Sequence, residues 1–114
     1  MATPPDPLFF EDRDAWRRWL DENHSIATEA WISQSKKGAR RQSVGYEDAV
    51  LEALCFGWID GKVMSVDAER YAVRFTPRRP RSNWSESNRA RIEKLRREGR
   101  LTRAGLAVLP EDLR

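Results

Sequence analysis

Cysteine and histidine each occur once in this 114-residue chain, at Cys55 and His24. One thiol cannot close an internal disulfide, and one Cys with one His cannot fill a zinc site, so no metal is expected. No run approaches the roughly 18 apolar residues of a membrane span, so no membrane insertion is expected. The segment from Met1 to Pro7 has neither a basic region nor an apolar core, so no secretion signal is expected. These absences together point to a reducing, cytoplasmic compartment. No internal repeat, inter-domain linker or recognised nucleic-acid motif is present, and no cofactor fingerprint is found.

What is there is charge. Charged residues make up 34% of the chain against 39% hydrophobic ones, a balance that suits a soluble globular domain and is too apolar for disorder. The length allows one core, read as a single domain over 9–114 behind a frayed, proline-rich leader at 1–8. Net charge is only +3 but unevenly placed. Residues 6–29 sum to −4 and residues 70–103 to +9. Such polarity implies an internally complementary molecule, an anionic partner, or both.

Periodicity predicts an α+β fold with a small antiparallel sheet of about three strands covered by about four helices. A first helix over 13–23 starts at Asp12 or Asp14 and presents Ala15, Trp16, Trp19 and Leu20 on one side. Glu29–Gln34 reads as a strand, followed by a mobile, cationic loop, Lys36–Ser43. A second helix over 46–58, apolar nearly all round and therefore central, starts at Ser43 or Gly45. Gly57 and Gly61 mark its end and a turn. Runs 62–66 and 70–76 read as a hairpin. A third helix over 83–98, capped by Ser82 or Ser85, and a last one over 103–109 complete the chain. Trp16, Trp19, Trp31 and Trp58 are expected in the core.

The segment from Arg74 to Ser85 joins strand to helix with four arginines, two prolines and Trp84. Prolines stiffen it, and a helix start already carries about half a positive charge. Cations gathered there call for an anion. Arg78, Arg79 and Arg81, with Ser82, Ser85 and the first amides of the helix, can form an anion pocket, since guanidinium forks match carboxylate and phosphate. Alternatively an internal carboxylate occupies the place. Asp60 is the candidate, placed at a helix end where the dipole disfavours it and expected to pair with an arginine, Arg74 foremost among 74, 78, 79 and 81. Trp84 either packs, holds a guanidinium, or stacks on a ligand.

The blocks Tyr46-Glu47-Asp48-Ala49-Val50, Ala53-Leu54-Cys55-Phe56-Gly57-Trp58-Ile59-Asp60-Gly61 and Arg74 to Ser85 with Asn88 resemble the YdeI/OmpD-associated family in order and spacing along residues 9–108. The resemblance implies a role in bacteriocin protection, stress or antimicrobial resistance. It adds Asn88 to the ligand-binding set. It also implies a basic C-terminal segment that this chain is expected to lack.

The leading expectation is a non-enzymatic domain that binds an unknown anionic small molecule or surface through the Arg78–Ser85 junction. Three alternatives remain: nucleic-acid binding by the basic 70–103 region; an enzyme using Asp60 as base or Cys55 as nucleophile; and a module for a protein partner or for homo-oligomerisation. No catalytic residue is assigned. Cys55 on an apolar helix reads as a core residue, with His24 too distant to activate it.

Overall fold

A computed structural model describes residues 6–79 and 83–114 of the chain. Helix α1, Arg13–Asn23, begins where the Asp12 carboxylate accepts from the Ala15 amide at 2.9 Å. Such a cap stabilises a helix by about 1 kcal/mol. Trp16 and Leu20, four residues apart, are fully buried, and the Trp16 indole donates to the Ala49 carbonyl at 3.0 Å. Trp19 stacks on Trp16 with ring centroids 5.5 Å apart and meets the edge of Trp58 at 6.0 Å.

Helix α2, Tyr46–Cys55, is the centre of the core: every residue from Ala49 to Cys55 is buried. Gly45 is its N-cap, with no side chain to assist. The helix ends three residues earlier than its apolar run suggests. Gly57 adopts a left-handed φ of +77°, and a Cβ there would lie 2.9 Å from the Ala104 carbonyl oxygen. Glycine is the residue that meets both demands at low cost. Trp58, Ile59, Asp60 and Gly61 therefore belong to a strand, β2 (Trp58–Ser65), and not to a helix end and turn.

Strands β1 (Ala30–Ser35), β2 and β3 (Arg70–Pro77) form an antiparallel sheet in the order β1-β3-β2. Ile32 faces Val73 across one pair, and Trp58 faces Pro77 across the other, with a register shift between Asp60 and Val63. Asp67 closes the hairpin by accepting from the Glu69 and Arg70 amides at 2.9 and 3.0 Å. Leu8, assigned to a frayed leader on sequence, instead extends the sheet. Its amide donates to Trp31 and its carbonyl accepts from Ser33. The 36–43 loop is tied down as well, since Ser35 and Ser43 exchange amide-to-hydroxyl bonds at 3.0 and 2.8 Å. Trp31 is half-buried outside the core and donates to Glu29.

Helix α3, Glu86–Arg97, is capped by Ser85 and buries Ile92 and Leu95 against α2. Helix α4, Arg103–Ala107, is capped by Thr102, whose amide and hydroxyl both donate to the Cys55 carbonyl. Gly105 lets α4 lie backbone against backbone on the end of α2. A Cβ there would fall 2.3 Å from the Cys55 oxygen. A short 3-10 turn, Glu111–Leu113, follows. The architecture is the α+β arrangement of three strands and four helices expected from the sequence.

Candidate functional site

The β3–α3 junction is built around Arg78. Its amide donates to the Gly57 carbonyl at 2.8 Å, and its guanidinium donates to the Asn83 carbonyl at 2.8 Å. The same guanidinium lies 3.8 Å over the Trp84 ring. Only 7% of Arg78 is exposed. Burial holds its pKa below the usual arginine value, and the negative charge of nearby Asp60 counters part of that. Arg78 is thus a clasp that ties the end of β3 to Asn83 and Trp84 ahead of α3, and Trp84 holds it by cation–π contact while packing on the core.

Arg79, the next residue, differs in its burial. It is exposed, and among the described residues it makes no ion pair. It borders an open cleft of about 500 Å³ lined also by Asp60, Thr76, Asn83, Ser85 and Asn88. A second cleft of about 330 Å³ shares Thr76, Pro77 and Arg79 with the first. The Ser85 hydroxyl accepts from the Asn88 amide at 3.1 Å, and the Asn88 side chain accepts from Arg91 at 2.8 Å. Arg91 forks onto Glu47 at 2.8 and 2.9 Å, fastening α3 to α2. Of the residues singled out on sequence, Arg78, Arg79, Ser85 and Asn88 line this one cleft, while Trp84 packs over Arg78 and is not part of the lining. Arg81 and Ser82 lie outside the described residues.

The pairing of Asp60 with Arg74 does not occur. Arg74 donates to Glu29 at 2.8 Å, because Glu29 precedes β1 and the β1–β3 register sets Trp31 beside Arg74. Asp60 accepts from the Tyr46 hydroxyl. Burial and the Asp60 charge together push the Tyr46 pKa up to about 12, so the phenol stays a donor. Tyr46 was not singled out on sequence, and only the three-dimensional approach of α2 to β2 reveals it.

A second arginine cluster escaped the sequence reading altogether. Glu52 is wholly buried in α2. It accepts from Arg13 at 2.6 Å, Arg17 at 2.8 Å and Arg100 at 3.0 Å. Arg17 also donates to the Arg100 carbonyl at 3.0 Å. Burial drives the Glu52 carboxyl upward, but the hydrogen bonds from Arg17 and Arg13 and the surrounding positive charge outweigh it, holding it below the usual range. The signal was present: a single acid inside an otherwise apolar helical run must have partners.

The remaining candidates are dispersed. Cys55 is fully buried, and burial, followed by the Glu52 charge, pushes its thiol up to about 11. His24 does reach the end of α2, contrary to expectation, with its ring 5.2 Å from that of Phe56. The basic α3 surface is partly neutralised within the chain: Arg89 pairs with Asp112 at 2.6 Å and Arg91 with Glu47, while Arg96 lies 3.8 Å from Glu93. Among the described residues no three His, Cys, Asp or Glu side chains gather to hold a metal ion, and no helix is long and apolar enough to cross a membrane.

Comparison with known families gives a match over residues 8–108 to a family described as Domain of unknown function (DUF8412). No curated protein and no solved structure matches the chain.

Proposed function

We propose that this chain, which belongs to the DUF8412 family, is a non-enzymatic domain that binds an anionic small molecule in the β3–α3 cleft. The observation that carries the reading is Arg79, exposed beside Ser85, Asn83 and Asn88 with no carboxylate neutralising it among the described residues. Arg78 and Trp84 make the frame and Arg79 supplies the charge. The nucleic-acid alternative has less support, because Arg70, Arg74, Arg89, Arg91 and Arg96 are paired within the chain. A nucleophilic Cys55 has none, since its thiol is buried and held protonated. The sequence resemblance to the YdeI/OmpD-associated family is what supports a role in stress or bacteriocin resistance, and the single cysteine is what supports a reducing, cytoplasmic setting.

Titration calorimetry with inorganic phosphate and pyrophosphate tests the reading. Saturable binding is expected, weakened by about tenfold or more in Arg79→Ala, as loss of a charge-assisted contact would give. Equal binding by wild type and Arg79→Ala, or no binding at millimolar anion, overturns it.

A further inference from the structure

The cleft is not uniformly cationic. Asp60 forms part of the same wall system as Arg79. A carboxylate offers about four acceptor positions, and the donor that reaches Asp60 among the described residues is one neutral hydroxyl, that of Tyr46. The neighbouring guanidiniums of Arg78 and Arg91 feel the Asp60 charge, but among the described residues the hydrogen bonds they make run to other groups: Arg91 to Glu47 and Asn88, Arg78 to Asn83, with the Trp84 face over it. Asp60 therefore presents negative charge and spare acceptor capacity toward the space that Arg79 makes attractive to anions. A bare anion gains from Arg79 and loses to Asp60. A ligand that carries an amine as well gains from both.

We infer that the cleft takes a small zwitterion, with its carboxylate or phosphate on Arg79 and its amine on Asp60. This rests on the anion-binding reading above and narrows it. The cleft of about 500 Å³ has room for such a molecule. The adjoining cleft that shares Arg79 leaves space for a substituent on the anionic end. Asp60 is then a specificity residue: it rejects plain anions as it accepts amine-bearing ones. Tyr46 acts as a positioning residue that occupies one lobe of the carboxylate and competes for it with the amine.

Calorimetry on the full chain with phosphoethanolamine and with methyl phosphate separates the two properties. Phosphoethanolamine is expected to bind about tenfold more tightly than methyl phosphate, the size of one favourable charge contact near a surface. In Asp60→Asn the preference should vanish, with methyl phosphate bound as well as before or better. Tyr46→Phe should act in the opposite sense, raising the preference severalfold by releasing the carboxylate. Circular dichroism checks that each variant is folded. Should Asp60→Asn not fold, Tyr46→Phe decides alone, and an unchanged preference there overturns the inference. Equal binding of the two probes by wild type, or a preference that survives Asp60→Asn, also overturns it while leaving the anion site standing. If neither probe binds, both readings fall together.

Discussion

The chain holds two arginine clusters with opposite outcomes. Around Glu52, three guanidiniums from α1 and the α3–α4 connection converge on one carboxylate with no exposure of its own. At the β3–α3 junction, Arg78 is satisfied by a carbonyl and an indole face, and Arg79 beside it is left to solvent. The same side chain is a rivet in one place and a bait in the other. The difference lies in whether a buried acid is available. Glu52 sits inside α2, so its charge could not stay there without company, and the arginines that supply it tie α1 and the chain beyond α3 to the central helix. The junction has Asp60 nearby, but that acid accepts from Tyr46 and, among the described residues, pairs with no arginine.

The largest blow to this contrast would come from Glu52→Gln. Removing the acceptor charge leaves three guanidiniums facing a neutral amide, and a loss of about 3 kcal/mol is expected in urea unfolding, at the low end for a buried pair because the arginines reach solvent. A loss below about 1 kcal/mol would mean that the cluster is no rivet.

The same variant sharpens the acid response. The folded pKa of Glu52 lies below the unfolded value, so its contribution is complete well above about pH 4.3 and drains as pH falls through the folded value. Glu47 and Asp112, depressed by Arg91 and Arg89, act in the same direction. The stability gap between wild type and Glu52→Gln should hold steady near neutrality and narrow in acid. A gap independent of pH would contradict the assignment.

Trp84→Ala tests the junction's frame. Loss of the ring over Arg78 and of its packing should cost about 2 kcal/mol by chemical denaturation. Arg74→Ala removes a half-exposed pair with Glu29 and should cost only about 0.5 kcal/mol, vanishing at high salt. Arg79→Ala should be the mildest of all, within about 0.5 kcal/mol of wild type, while phosphate binding weakens by about tenfold or more. A strongly destabilised Arg79→Ala would erase the distinction between the two clusters.

Local signals explain what the sequence disclosed. The bounds of α1 are legible because Asp12 caps it and Trp16 and Leu20 repeat at helical spacing. The Arg78–Ser85 junction is legible because prolines, arginines and a helix cap crowd together. The end of α2 is not, since Phe56, Gly57 and Trp58 carry apolar character straight across a helix-to-strand boundary that a left-handed glycine makes. Nor was the partner of Arg74, which depends on a β1–β3 register spanning some forty positions. Glu52 was readable in principle, but its three partners come from both ends of the chain.

Burial of Cys55 has one more consequence. Its thiol is shielded by the core and kept protonated, so a disulfide reagent in the medium can reach it only in molecules that have momentarily come apart. The rate at which that sulfur is trapped is a clock for opening around α2. Because the sulfur lies one turn from Glu52, on the same helix, the clock is mounted beside the fastening whose strength it would time.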